Sequence, residues 1–103
     1  TERESSGGLT VETGSVEQTW LRATLNGSVS NLGGASSATV YFEYWEKGAK
    51  SSTLETTDTQ TRRSTGAFSE NFYDSYGTTY VYQAVAESSD GQVDTGSQVE
   101  FTG

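Results

Sequence analysis

Apolar and polar residues alternate along several short stretches of the chain, and the clearest of these is residues 38–47. Val40, Phe42 and Tyr44 share one side of this stretch, while polar and aromatic residues occupy the other side. A period of two is that of a β-strand with one face against a core. The pattern therefore predicts a strand here, and Gly48 is expected to end it.

Similar patterns predict further strands, separated by turn signals such as Asn31 to Gly34 and Asp90-Gly91. No stretch of 11 or more residues keeps the spacing of an amphipathic helix without a glycine break. About seven short strands with regular turns are typical of a β-sandwich. We therefore expect an all-β, seven-stranded sandwich of two antiparallel sheets, with its other strands over residues 9–13, 18–29, 51–57, 67–73, 79–87 and 95–102.

The chain has 103 residues, which is enough for one domain with one modest core. Residues 1–8 are polar and end in two glycines, so they are predicted to be a flexible linker or N-terminal arm. Residues 9–103 are predicted to form a single β-sandwich domain. Because there is no Cys, no disulfide can stabilise it.

With the strands placed, four segments resemble fibronectin type III-like domains, which belong to the immunoglobulin-like sandwiches. They cover the regions that such domains use for their B, C, F and G strands. The segments are LNGSV (25–29), VYFEY (40–44), GTTYVYQAVA (77–86) and VEFT (99–102).

Domains of this kind occur in secreted and surface proteins of halophilic archaea and their viruses, so the resemblance implies an extracellular, cell-surface or virion-surface location. It also implies that Tyr80 is a structural tyrosine corner, whose hydroxyl group bonds to backbone upstream of it. Likeness of fold says little about function.

The net charge is −8, from 14 acidic and six basic residues, and only Lys47 and Lys50 are lysines. A nucleic-acid partner is not expected, because phosphate contacts need positive charge. Membrane insertion is not expected either, since no apolar run is long enough to span a bilayer. An acidic surface with few lysines also fits a protein adapted to high salt, which screens its self-repulsion.

Two residue types that enzymes often use as bases and nucleophiles are absent. There is no His and no Cys, and neither lysine lies in a nucleophile motif. Glu43, Glu46 and Glu55 could supply a carboxylate pair for glycoside hydrolysis, but a solvated acidic face explains them better. No catalytic residue and no enzymatic activity are predicted.

Two carboxylates, Asp90 and Asp94, lie close together near a predicted turn. Calcium accepts such ligands but wants six or more oxygens, and Asp-Gly is an ordinary hairpin signal. We therefore predict a turn, with no metal and no cofactor.

The outward side of the sheet suggests a candidate interaction face. Tyr41, Trp45, Val81 and Val85 would lie together as an exposed apolar patch if their strands are neighbours, and such patches usually contact another protein. The alternative is cross-strand packing that only stabilises the sheet. Trp20 is predicted to be a secondary contact on the other sheet.

Asn26-Gly27-Ser28 matches the N-glycosylation sequon. The alternative is a turn or bulge, because Asn-Gly also bends chains. Glycosylation of Asn26 thus remains one of two interpretations.

Together these features predict a non-catalytic extracellular structural or adhesion module, such as a surface-layer, filament or virion-decoration subunit. Its partners would be proteins, through self-assembly or neighbouring domains. The alternative is a carbohydrate-binding or spacer module of a larger secreted enzyme, in which the same aromatic residues would stack on a glycan.

Overall fold

The computed structural model describes residues 8–19, 22–73 and 77–103. Over these residues the chain forms nine antiparallel strands and one four-residue helix. In chain order they are β1 (Leu9–Thr19), β2 (Arg22–Leu32), β3 (Ala38–Glu46), α1 (Lys50–Thr53), β4 (Glu55–Thr56), β5 (Gln60–Arg62), β6 (Gly66–Phe72), β7 (Thr79–Ser88), β8 (Val93–Thr95) and β9 (Val99–Thr102).

The strands form two sheets that face each other, as predicted. One sheet has the order β1-β2-β6, and the other contains β3 and β7 at its centre. Both β4 and β5 pair with β3, while β8 and β9 both pair with β7. The nine described strands thus occupy seven positions, three in one sheet and four in the other, which confirms an all-β sandwich.

Alternate residues of the central strands build the core between the sheets. On β3 the inward-facing residues include Phe42 and Tyr44, and on β7 they include Tyr80 and Tyr82. The largest fully buried side chains are Tyr82, Phe42, Leu25, Val29 and Val40. Since the chain has few large aliphatic residues, aromatic rings fill most of this volume, and the Phe42 ring lies 5.0 Å from that of Phe68.

Three boundaries differ from the predictions. Gln18 and Thr19 belong to β1, which is far longer than the predicted first strand, and Thr19 pairs with Arg22. The chain reverses there without a Gly or Asn signal, so the alternation looked continuous. Residues 50–53 form α1 where an edge strand was expected, and the predicted last strand is divided into β8 and β9.

Strand β1 contains a bulge at Gly14 and Ser15. Thr13 pairs with Gly27 and Val16 with Leu25, so two residues of β1 oppose the single residue Asn26. The side-chain amide nitrogen of Asn26 donates a hydrogen bond of 2.9 Å to the Ser15 carbonyl oxygen. The Tyr82 hydroxyl group donates another, of 2.6 Å, to the Gly14 carbonyl oxygen from the opposite sheet.

Polar side chains join the two sheets where β7 ends and β8 begins. The backbone NH of Val11 donates to Asp94 at 2.8 Å, and that of Leu9 donates to the Gln92 side chain at 3.0 Å. The Thr13 hydroxyl oxygen accepts from the backbone NH of Ala84 at 3.0 Å. We call the three side chains Thr13, Gln92 and Asp94 the polar seam, because they satisfy backbone groups at this edge of the sandwich.

In the part of the chain that the structure describes, no helix is both long and apolar enough to cross a membrane.

Candidate functional site

The predicted interaction face is assembled as expected but is not exposed. Tyr41 pairs with Val85 and Trp45 with Val81, so the four side chains do neighbour one another. However, Trp45 is 5% exposed, Val81 6% and Val85 3%. The prediction of an exposed apolar patch is therefore wrong for three of its four members.

Polar contacts between strands accompany this burial. The Tyr41 hydroxyl group donates a hydrogen bond of 3.0 Å to Glu87, and the Gln83 amide donates one of 2.7 Å to Glu43. Burial, followed by the bond to Glu87 and the nearby negative charges, raises the pKa of Tyr41 to about 12. Cross-strand packing, the alternative considered for this face, explains these residues.

The segment after β3 accounts for the burial of Trp45. The Lys50 ammonium group of α1 lies 4.5 Å from the centre of the Trp45 ring, in a cation–π contact. The Thr53 hydroxyl oxygen accepts a hydrogen bond of 2.9 Å from the backbone NH of Glu46, which holds α1 against the end of β3. An unpredicted helix thus contacts one of the four residues expected to form the interaction face.

A cleft of about 330 Å³ opens at the same end of the sandwich, between the end of β3, α1 with β4, and the end of β6. We call it the aromatic cleft. The residues that line it are Tyr44, Trp45, Glu46, Ser52, Thr53, Glu55, Phe72, Tyr73 and Tyr80.

Packed aromatic rings form the floor of the aromatic cleft. The Tyr44 ring stacks on Phe72 with centroids 4.4 Å apart and planes at 25°, and Phe72 meets Tyr80 edge-on at 5.4 Å. Tyr80 in turn stacks on Phe101 at 5.5 Å. Tyr73, which follows β6, is 84% exposed and adds a solvent-facing ring to the lining. The floor therefore consists of rings packed against one another, while the ring of Tyr73 faces solvent.

Two carboxylates, Glu46 and Glu55, supply the negative charge of the aromatic cleft, and both residues are exposed. Glu55 lies directly opposite Tyr44 in the β3–β4 register. Burial first, and then the charge of Glu55, raises the pKa of the Tyr44 hydroxyl group. Both effects disfavour the ionised form of that hydroxyl group.

The sequence placed Tyr44 in the core and did not single out Tyr73, so it missed the aromatic cleft. One signal was present: Glu46 follows Tyr44 on the inward face of β3, and a charge on that face indicates that the core ends there. The structure brings Glu46 and Glu55 to the cleft, whereas Glu43, the third of the predicted carboxylates, bonds to Gln83.

The Asp90 and Asp94 carboxylates both have protein donors. Asp90 accepts from the Ser88 hydroxyl group and from the Gln92 amide, bonds that lower the pKa of its carboxyl group, and Asp94 accepts from Val11. Within residues 8–19, 22–73 and 77–103, no cluster of three or more His, Cys, Asp or Glu side chains is placed to hold a metal ion.

The remaining predicted residues have separate positions. Asn26 lies in the middle of β2, and its side-chain nitrogen, the atom that would carry a glycan, donates to the Ser15 carbonyl oxygen. Tyr80 is buried and stacked as described, and its role as a tyrosine corner stays a prediction. Trp20 lies outside the described residues.

The fold defines the class of protein as an all-β sandwich, and solved structures share it. The short form of the sensor domain of the anti-sigma factor RsgI4 from Pseudobacteroides cellulosolvens superposes with a TM-score of 0.71 at 15% sequence identity. The match covers 92% of this chain and 93% of that domain. A solution structure of the same sensor domain gives 0.72 at 13% identity, over 91% of this chain and 74% of the other.

No protein-family model matches the chain, and neither does any curated protein. The prediction of a structural or adhesion module is wrong on two findings. The structural neighbours of this chain are sensor domains of an anti-sigma factor, and three of the four residues assigned to the interaction face are buried. The comparisons give no support to a halophilic or viral origin.

Proposed function

We propose that this chain is the ligand-sensing domain of a larger regulatory protein and that the aromatic cleft is its ligand site. The observation that carries the proposal is the agreement of fold with a sensor domain across nearly the whole of both chains. The cleft adds a physical basis, because rigid aromatic walls with a few polar groups are typical of small-ligand sites.

The proposal includes no catalysis and no nucleic-acid contact. The lack of His and Cys supports the omission of catalysis, and the net charge of −8 supports the omission of a nucleic-acid partner. We also infer that the domain is related to fibronectin type III-like sandwiches and faces the outside of the cell. The division of strand positions into three and four supports the first inference, and the resemblance to secreted domains supports the second.

Ligand screening by NMR tests the proposal. The amide signals of the 103-residue chain would be followed while neutral sugars, organic anions, organic cations and short peptides are added in turn. We expect at least one class to shift the signals of Glu46, Thr53 and Glu55 saturably. Because binding stabilises the folded state, the same ligand should raise Tm.

Two variants localise the effect. Tyr73→Ala removes the exposed ring from the aromatic cleft, and Val93→Ala truncates a side chain that is 64% exposed on β8. Binding should weaken in the first and persist in the second. If no class of compound gives saturable shifts at the cleft, or if both variants bind alike, the aromatic cleft is not a sensing site.

A further inference from the structure

The charged side chains that line the aromatic cleft are both carboxylates. Glu46 and Glu55 are its ionisable carboxylates, and no Lys or Arg is among its described lining residues. The whole chain is acidic as well, so the potential around the cleft favours a positive ligand. An anionic ligand would meet repulsion from both carboxylates.

The aromatic rings favour the same sign. The face of an aromatic ring carries negative charge density and attracts ammonium groups within about 6 Å of its centre. Tyr73 offers a ring that is 84% exposed, and the stacked pair of Tyr44 and Phe72 offers a fixed one.

This chain already pairs a cation with an aromatic ring at this end of the sandwich. Lys50 of α1 lies 4.5 Å from the ring centre of Trp45, another lining residue. The Lys50 ammonium group thus places one positive charge beside the two carboxylates, which outnumber it.

The size of the cleft limits the ligand. Its volume of about 330 Å³ is near the lower end of the range of about 300–1,000 Å³ that small-molecule sites occupy. It suits one compact group rather than an extended chain.

We propose that the aromatic cleft binds an organic cation, with an alkylammonium group against the rings of Tyr73 and Tyr44 and its charge facing Glu55 and Glu46. This inference rests on the proposed sensing function and names the class of ligand. The ligand is a free amine or quaternary ammonium compound.

Choline and its neutral isostere 3,3-dimethyl-1-butanol, in which carbon replaces nitrogen, form the decisive pair of probes. The two have nearly the same shape, so a difference in affinity measures the charge. In NMR titrations of the 103-residue chain at low salt, choline should shift the amides of Glu46 and Glu55 saturably. The alcohol should bind about tenfold more weakly.

Variants separate the charge from the rings. Glu55→Gln should weaken choline binding about two- to fivefold, since an exposed ion pair contributes modestly. Glu12→Gln makes the same change of charge on β1 and should leave the affinity unchanged. Tyr73→Phe should keep binding, while Tyr73→Ala should weaken it. Added KCl should weaken binding to the wild-type chain, because it screens the carboxylates.

Glucose is included as a neutral ligand that also stacks on aromatic rings. If glucose or the isosteric alcohol binds the cleft at least as well as choline, the cation inference is overturned while the sensing function stands. If neither choline nor any other class of compound shifts the cleft signals, both fall.

Discussion

The two sheets are held together differently at the two ends of β7. Near Ser88 the polar seam ties β1 to the opposite sheet through hydrogen bonds to backbone NH groups. Near Thr79 the sheets meet through stacked rings, and a cleft of about 330 Å³ is left beside them. The proposed ligand site thus lies at the end that is held by rings.

Removing the central ring of the cleft end should have the largest effect. Phe72 contacts Tyr44, Tyr80 and Phe101. Phe72→Ala should lower the free energy of unfolding by about 3–5 kcal/mol, since it leaves a cavity among rings that cannot collapse. Urea denaturation measures this. Tyr73→Ala, which changes a mostly exposed ring next to it, should cost less than about 0.5 kcal/mol. Equal losses would show that the rings do not hold this end together.

The end with the polar seam should be sensitive to one added methyl group. A Cβ atom at Gly96 would lie 2.5 Å from the Thr13 backbone nitrogen and closer still to its hydroxyl oxygen. Gly96→Ala should therefore cost about 1–3 kcal/mol. It should also speed hydrogen exchange at Val11 and Thr13, because β1 is displaced. Ser97→Ala, at the exposed next position, serves as the control. Unchanged exchange in Gly96→Ala would mean that β1 is not held by this contact.

A smaller effect is expected at Tyr82, which links the two sheets between these ends. Tyr82→Phe leaves the Gly14 carbonyl oxygen without that donor and should cost about 1 kcal/mol at neutral pH. Burial raises the pKa of Tyr82 to about 12. In the unfolded chain it ionises near pH 10, so its stabilisation is present below pH 10 and is lost towards pH 12.

The difference in stability between the wild-type chain and Tyr82→Phe should accordingly shrink between pH 10 and pH 12. Tyr73→Phe is the control, because it removes a hydroxyl group from a ring that is 84% exposed, and its stability relative to the wild-type chain should not change over this range. A difference that stays constant up to pH 12 would contradict the role assigned to the Tyr82 hydroxyl group.

Salt should produce the smallest change in stability and act in opposite directions on fold and cleft. The net charge of −8 implies self-repulsion, so Tm should rise by a few degrees from low salt to molar KCl. Choline binding should weaken over the same range. Calorimetry and NMR titration measure the two effects. A flat Tm would reject the salt-adaptation hypothesis.

The clear strands were predictable because a half-buried strand requires alternation. Residues 38–47 and 79–87 showed it, and β3 and β7 lie there. The reversal at Thr19–Arg22 was missed because no turn residue marks it. Helix α1 was missed because it is four residues long and buries no side chain, so its sequence carries no helical period.

The interaction face and the aromatic cleft were harder to predict from the sequence than the fold. The alternation of apolar and polar residues correctly placed four residues on one face: Tyr41, Trp45, Val81 and Val85. It could not reveal that Lys50 of α1 packs against the ring of Trp45. Similarly, Tyr73 and Glu55 are far apart in the chain, and only packing brings both to the aromatic cleft.

By itself, the sequence determined the class of fold and the sign of the surface charge. Both follow from local or summed properties: the period of two, the turn residues and the excess of carboxylates. The tertiary structure decided which apolar side chains are buried and where a cleft remains. These depend on how elements distant in sequence pack together, and no local pattern records that packing.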